Sequence, residues 1–203
     1  MEQAVKIMKK KQFIKNEADK VLSKEMSDKM WKKATVRLDK ILKKYESLPK
    51  GVHTHTDSFI FPSAAIYLTA KEFMTEEQAY AVIENASIIK TTALGEKLAK
   101  VLKLPFMKEF FLKMWGSMTK KQFGEDGGFK NRFYPPKKGE FRMDILACPY
   151  CRYFTELGCF ELTKIFCDND DRGYGNLPGL KFDRKGTLGK GAECCDFYLY
   201  KTR

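Results

Sequence analysis

The first 147 residues contain no cysteine, and all six cysteines of the 203-residue chain lie between Cys148 and Cys195. Histidine is scarce, with two residues, and no apolar run approaches the ~18 residues that a membrane-spanning helix needs. The segment Met1 to Lys20 is charged throughout and holds no apolar signal-peptide stretch. These absences argue against a transmembrane segment and predict a cytoplasmic protein, whose thiols stay reduced.

Positive charge is concentrated at the front of the chain. Residues 1–50 carry 15 Lys and Arg against 7 Asp and Glu, within a net charge of +12 for the whole sequence. Nucleic-acid-binding segments combine such charge with aromatic side chains and arginines, which are sparse here. Lysines at helical spacing are typical of the solvated face of amphipathic helices. We therefore expect a small-molecule partner rather than a nucleic acid.

Helical periodicity dominates residues 1–123. Thr75 and Gln78 form a capping-box pattern ahead of a helix that runs to about Ile89 or, bent, to Leu104. The Phe and Met stripe of the last helix in this region predicts a buried core element. The other predictions are helices over 3–22, 27–48, 62–73 and 106–122, with a loop or short extended piece over 51–61.

The periodicity changes after residue 123, where short alternating segments are separated by Gly and Pro. The predicted order is β-β-α-β-β, with strands over 129–134, 140–147, 180–184 and 194–200 and helices over 149–158 and 160–166. With no linker in between, the sequence predicts a single α+β domain over 1–203. Its helical region, 1–123, packs on a small antiparallel sheet of about four strands with one or two inserted helices, formed by the Cys-rich region 124–203.

Several cysteine and histidine patterns are candidates for metal or redox chemistry. The C-P-Y-C segment from Cys148 to Cys151 follows a strand and precedes a helix, the context of a redox dithiol. His53 and His55 would share one face of a strand, as metal ligands do, although a polar loop is the alternative. Zinc or an iron–sulfur cluster is a further option. Its ligands would be Cys148, Cys151, Cys159 and Cys167.

That four-cysteine spacing, C-x2-C-x7-C-x7-C, is not a usual zinc-ribbon pattern, so buried free cysteine is the alternative for most of the set. Cys194 and Cys195 are adjacent on a predicted strand and must face opposite sides. One of them is therefore expected to enter the core, while the other accompanies an acidic residue.

A longer pattern links these pieces. It consists of Cys148, Gly158, C-x-x-D at Cys167–Asp170, R-x-x-T-L-x-x-G at Arg184–Gly191, and C-D-F at Cys195–Phe197. In this order the residues resemble the C-terminal signature of the L-2-amino-thiazoline-4-carboxylic acid hydrolase family. The resemblance covers residues 140–200 well and the helical front only in general character. The second cysteine of C-P-Y-C and Cys194 lie outside the signature.

The resemblance implies a hydrolase that opens a small cyclic amidine thioether. Water adds at ring carbon C2, the ring C–S bond breaks, and a carbamoyl-cysteine results. Such a site needs an acid or base, a group that stabilises charge at C2, and a cation for the substrate carboxylate. The sequence requires no metal or other cofactor for this reaction. The implied catalytic residues are Cys167, Asp170, Cys195 and Asp196. The implied substrate-binding residues are Arg184, Thr187 and Cys148.

Asp170 is the first choice for the general base and Asp196 the second. Either Cys167 or Cys195 is suited to attack C2, since thiolates react well with soft amidine carbons. Arg184 is suited to hold the substrate carboxylate through its fork of N–H donors. The same acids and Arg184 can instead form a buried ion-pair network that only holds the closing hairpin to the helices.

A non-catalytic alternative stays open. A helical front followed by a β-β-α-β-β unit is also similar to vinyl-reductase-type domains, which bind small or lipid-like ligands and assemble as dimers, so a homodimer is a candidate assembly. The Phe-rich stripe over 106–118 would then line a pocket or a partner surface. If the protein is an enzyme, the signature residues should surround a small polar cavity. If it is a binding module, the cavity should be long and apolar, and the same residues should be buried and purely structural.

Overall fold

The computed structural model describes residues 1–202, which form an α+β fold. Helices precede the sheet in the order α1 Glu2–Lys9, α2 Gln12–Ala18, α3 Lys24–Lys44, α4 Lys50–His55, α5 Phe61–Ala70, α6 Glu76–Leu102 and α7 Met107–Gln122. The later elements are β1 Lys130–Phe133, β2 Glu140–Ala147, α8 Pro149–Glu156, α9 Leu162–Tyr174, β3 Leu180–Asp183 and β4 Cys195–Lys201. Among the helices of residues 1–202, none has the length and apolar character needed to cross a bilayer.

The four strands pair antiparallel in the order β1-β2-β4-β3, which confirms the predicted β-β-α-β-β plan. In the central pair, Ile145 lies opposite Cys195 and Met143 opposite Phe197. Because strand side chains alternate, these four share one face, and all four are buried. Cys195 therefore enters the core while Cys194 is only half-buried on the other face, as expected.

The buried apolar residues of 1–202 form three clusters, and both parts of the chain contribute to the largest of them. Almost every residue of α5 is buried, and α3 packs along it. Tyr153 and Phe154 of α8 and Leu162 and Ile165 of α9 belong to the same buried cluster. The Cys-rich region is thus anchored in the helical layer, which fixes the position of α9 relative to the sheet.

The capping box at Thr75 is confirmed. The Thr75 hydroxyl accepts from the backbone amide of Gln78 at 3.3 Å, and the Gln78 side chain accepts from the Thr75 amide at 3.1 Å. The preceding long helix, α3, begins before Ser27. It is capped by Ser23, whose hydroxyl accepts from the backbone amide of Met26.

Two predictions for the front of the chain were wrong. Residues 3–22 form two helices, interrupted near Lys11, rather than one. Residues 51–61 are not a loop: α4 continues through a π-helical turn, Thr56–Ile60, into α5. The π-helical turn lies beside Pro62, which has no N–H for the carbonyl of Ser58. That carbonyl instead accepts a hydrogen bond from the Lys11 ammonium group.

The prediction that the whole stripe of α7 is core was also wrong. Phe111 and Trp115 are buried, but Phe106 is 86% exposed and Phe110 and Met114 are exposed as well. The apolar residues are spread over more than one side of the helix, and the sheet and α6 cover only part of it.

Helix α9 extends well beyond the predicted end at residue 166, continuing through its acidic run to Tyr174. Basic side chains neutralise that run, since Arg184 contacts Asp170 and Asp171 and Lys190 contacts Asp168. The extension places Cys167 and Asp170 three residues apart on one helix, and such residues lie on the same side.

Candidate functional site

A cavity of about 500 Å³ lies where α6 and α9 meet the buried face of β2 and β4. The segment joining α1 to α2 and the start of α2 complete its wall. Aromatic and aliphatic side chains form much of the lining. The reactive side chains on the wall are Cys148, Cys151, Cys167, Asp170 and Cys195.

Cys167 on α9 and Cys195 on β4 both lie on the cavity wall, and their side chains interact with each other. The Cys195 thiol donates to the Cys167 sulfur, which lowers the pKa of Cys167 to about 6. The Thr187 hydroxyl, the Arg184 charge and the Gly189 backbone amide lower this pKa further, against the effect of burial. The pKa of Cys195 is raised in turn, first by holding its proton for Cys167 and then by burial. Cys167 is therefore the thiolate of the pair at neutral pH.

Asp170 lies on the cavity wall beside this thiolate, with 29% of its side chain exposed. The surrounding protein removes water from the carboxylate, and this desolvation raises the pKa of Asp170 to about 7. The negative charge of Cys167 raises the same pKa, while Arg184 opposes the rise. A carboxyl group with this pKa can both donate and accept a proton near neutral pH.

Arg184 is buried in a structural position and does not line the cavity. Its side chain is 3% exposed and stacks near the rings of Phe182 and Phe197. The guanidinium donates to Asp170 at 2.9 Å and to the Cys167 carbonyl at 2.6 Å, and it also contacts Asp171. With these partners satisfied, the structure does not place Arg184 where it would meet a substrate carboxylate.

Asp196 and Thr187, which the sequence also predicted as site residues, do not line the cavity either. Asp196 does not line the cavity, because its carboxylate accepts the backbone amides of Lys185 at 3.0 Å and Gly186 at 2.8 Å. It therefore fixes the loop that follows Arg184. The Thr187 hydroxyl is buried and forms no hydrogen bond of ordinary geometry within residues 1–202.

The C-P-Y-C segment contributes a second thiol pair to the cavity. Cys148 precedes α8 and Cys151 lies in its first turn, and their side chains interact with each other. The pair raises the pKa of Cys148 and lowers that of Cys151. Because every strand pair in the sheet is antiparallel, the segment does not lie in the parallel β-α-β unit that is typical of a redox C-x-x-C motif.

The structure does not assemble the four-cysteine metal set. Cys159 is fully buried in the helical core, away from the cavity, and burial raises its pKa to about 12. Within residues 1–202, no three His, Cys, Asp or Glu side chains are grouped to hold a metal ion. Zinc or iron–sulfur binding through these cysteines therefore finds no support in the geometry.

The two histidines do not form a ligand pair either, because they lie on helix α4 rather than on a strand. His55 is buried, with Nε2 2.8 Å from the Gln122 carbonyl and Nδ1 3.3 Å from the Tyr150 hydroxyl. Burial lowers its pKa. His53 contacts Asp57 at 3.1 Å instead. Both rings therefore have structural partners.

Comparison with known proteins identifies the family. A family model described as L-2-amino-thiazoline-4-carboxylic acid hydrolase matches residues 53–199, most of the chain. The chain belongs to this family. Searches of curated proteins and of solved structures gave no significant match.

The hydrolase-family signature acquires a physical explanation from the geometry. Its C-x-x-D supplies the thiolate and the carboxyl group on α9, and its R-x-x-T-L-x-x-G supplies Arg184 and Thr187 behind them. Gly191 ends the short 3-10 turn of this segment with a φ of 86°, a conformation that favours glycine. The C-D-F piece supplies Cys195 as hydrogen-bond donor and Asp196 as a loop anchor.

Some wall residues of this family member were not found by sequence reasoning. Lys11 and Phe13 come from the front of the chain, and Ser87 and Lys90 come from α6. The Ser87 hydroxyl accepts from Asn169 on α9 at 2.8 Å, which ties the two helices together beside Asp170. These residues carry no local motif, so only the tertiary fold reveals them.

Gly189 gives a direct test of the thiolate geometry. A Cβ at this position would lie 2.8 Å from the Cys167 sulfur and 2.7 Å from Thr163 Cγ2. We expect Gly189→Ala to displace the sulfur, weaken the hydrogen bonds that stabilise the thiolate and raise the pKa of Cys167 by about one unit, equivalent to ~1.4 kcal/mol. The measurement is iodoacetamide alkylation against pH, with Cys167 quantified by peptide mass spectrometry.

Cys194 in the same digests is the internal control, because it does not line the cavity and Cys167 is not among the groups that shift its pKa. An unchanged Cys167 profile in a folded Gly189→Ala protein would contradict the tight contact between this glycine and the sulfur.

Proposed function

We propose that the protein hydrolyses 2-amino-thiazoline-4-carboxylate, or a related cyclic amidine thioether, to a carbamoyl-cysteine. One observation carries the proposal: the Cys167 thiolate and the Asp170 carboxyl group lie one helical turn apart on the wall of the same cavity. This is the combination of nucleophile and proton carrier that opening a C–S bond requires.

In the first half of the reaction, the Cys167 sulfur forms a bond to C2 of the protonated amidine, and the C=N electron pair moves to nitrogen. The ring C–S bond then breaks. Its electron pair goes to the ring sulfur, which takes the proton of Asp170 and leaves as a thiol. The product of this half is an isothiouronium group on Cys167, with Asp170 now a carboxylate.

In the second half, the Asp170 carboxylate takes a proton from water while the water oxygen bonds to C2. The bond from C2 to Cys167 breaks and returns the thiolate, and a proton passes from the new carbonyl group to solvent. Cys167 and Asp170 are thereby restored to their starting protonation states. Arg184 is a positioning residue in this scheme, since it holds Asp170 and the Cys167 backbone in place.

The test is a ring-opening assay with 2-amino-thiazoline-4-carboxylate. We expect release of free thiol above the blank that the six protein cysteines give, together with a product whose mass is that of the substrate plus one water. The same protein after denaturation is the control. If the folded protein releases no more thiol than the denatured sample, this substrate is excluded.

A second candidate function is a ligand-binding module that catalyses nothing. It is favoured by the apolar character of much of the cavity wall and by Arg184, which behaves as the buried strut expected of such a module. This function predicts that a ligand bound by the protein is recovered with unchanged mass after long incubation. A recovered product with one added water supports the hydrolase instead.

A further inference from the structure

Two lysines on the cavity wall have no role in the chemistry just described. Lys11 lies in the turn before α2, and Lys90 lies on α6. Neither ammonium group forms an ion pair with a carboxylate of residues 1–202, whereas Lys15 and Lys20 nearby do. A pair of unneutralised cations facing one cavity favours an anion as the missing partner.

The Lys11 ammonium group is held in place by the π-helical turn, Thr56–Ile60. The Ser58 carbonyl, which Pro62 cannot bond through a backbone amide, accepts a hydrogen bond from Lys11. The same ammonium lies 5.1 Å from the ring centroid of Phe59. This arrangement orders a flexible side chain at the cavity wall, as a preformed binding site requires.

Lys11 and Lys90 share the ring of Phe13, which lies 5.8 Å from the first ammonium group and 4.8 Å from the second. Burial is the largest cause of the lowered pKa of Lys11, and the charges of Lys10 and then Lys90 add to it. Mutual repulsion of two neighbouring cations is relieved when an anion binds between them. We call Lys11, Lys90 and Phe13 the cationic corner.

The cationic corner and the reacting groups belong to one cavity. Lys90 follows Ser87 by three residues on α6, and Ser87 is bonded to Asn169, the neighbour of Asp170. A ligand anchored by its anion at the corner therefore has Cys167 and Asp170 on the wall of the same space.

The space available exceeds what a single small ring needs. Cavities of ~300–1,000 Å³ hold drug-sized ligands, and this one measures about 500 Å³. A five-membered ring with an amino group and a carboxylate is much smaller. The remaining wall includes Phe123, Phe129 and Phe166, whose rings favour an apolar body over bound water.

We propose that the substrate is an amphipathic carboxylate: its anion binds between Lys11 and Lys90, and an apolar substituent occupies the phenylalanine-lined part of the cavity. The proposal rests on the proposed function in taking the ligand of this cavity to be the substrate. It assigns the carboxylate-binding role, given to Arg184 by the sequence, to a pair of lysines from the front half of the chain.

The test is calorimetric titration with straight-chain carboxylates from acetate to octanoate and with the corresponding primary amides. We expect affinity to rise with chain length by up to about fourfold per methylene, the fold-change corresponding to ~0.8 kcal/mol. Lys11→Gln and Lys90→Gln should each weaken octanoate binding about tenfold, the loss of one charge-assisted contact. Octanamide binding should change less than threefold.

Lys97→Gln is the matched control, since Lys97 is exposed on the same helix as Lys90 and does not line the cavity. Binding that does not depend on chain length overturns the apolar subsite. Equal octanoate affinity in wild type and in folded Lys11→Gln and Lys90→Gln proteins overturns the anion site.

The result of the octanoate titration and the result of the ring-opening assay test different proposals. Octanoate binding that depends on both lysines, without turnover of the thiazoline, supports the cavity's ligand class and rejects the hydrolysis. Turnover of 2-amino-thiazoline-4-carboxylate with no detectable octanoate binding supports the hydrolysis and rejects the amphipathic substrate.

Discussion

Replacing Cys167 by serine is expected to lower kcat/KM for ring opening by about 10³-fold or more, a loss typical of removing a nucleophile. The hydrogen bonds and the positive charge around Cys167 lower its pKa to about 6. A serine hydroxyl in the same surroundings keeps its proton at neutral pH and cannot attack C2. The measurement is thiol release at saturating and subsaturating substrate, with the melting temperature of each variant.

Cys194→Ser is the matched control for this substitution. Cys194 is half-buried and does not line the cavity, so its replacement should leave kcat/KM within about threefold of wild type. Acid quenching of the wild-type reaction should additionally trap the substrate on the peptide that contains Cys167. Full turnover by a folded Cys167→Ser protein would remove the thiolate from the mechanism.

Asp170→Asn is expected to reduce kcat by ~10²–10⁴-fold, the usual contribution of a general acid–base group. The amide has nearly the shape of the carboxyl group but cannot donate a proton to the leaving sulfur or accept one from water. Asp171→Asn is the control, because Asp171 also contacts Arg184 but does not line the cavity. Equal losses in the two variants would indicate that only the ion-pair network matters.

The pH dependence of activity distinguishes the roles of Cys167 and Asp170. Activity should rise as Cys167 loses its proton at about pH 6 and fall as Asp170 loses its proton at about pH 7, which gives a narrow optimum between these values. The two groups interact, so the limbs report macroscopic pKa values of the pair. The residual activity of Asp170→Asn should keep the rise and lack the fall. A fall that persists in this variant would assign the upper limb to another group.

The signature pattern selected two residues that line the cavity, but it did not predict the structure around them. C-x-x-D identified Cys167 and Asp170, but the expected helix ended at residue 166, because the acidic run and Gly173 are typical of a loop. In the fold, long-range contacts from Arg184 and Lys190 neutralise that run, and the helix continues. Local propensity could not reveal this, because the neutralising charges come from a distant part of the sequence.

The role assigned to Arg184 shows the same limit. A lone arginine among acids fits a substrate clamp and a structural ion pair equally well, and only its 3% exposure and its hydrogen-bond partners distinguish the two. The cavity-facing position of Lys11 had no sequence signal, since it depends on the missing amide of Pro62 and on the packing of α2 against α6. The positions of the four strands along the chain, by contrast, followed from alternation and turn residues alone.

The π-helical turn, Thr56–Ile60, has a consequence for how the ligand preference of this protein can evolve. The ammonium group that it orders comes from a part of the chain outside the segment matched by the family model, whereas the thiolate and the acid lie inside it. Of the residues proposed to bind the ligand, Lys11 and Phe13 therefore lie outside the matched segment, while Lys90 and the phenylalanines of the cavity wall lie inside it with the proposed reacting groups. Exchanging residues 1–22 between family members should change the affinity for the carboxylate while the preference for the apolar substituent and the rate of the chemical step stay those of the recipient.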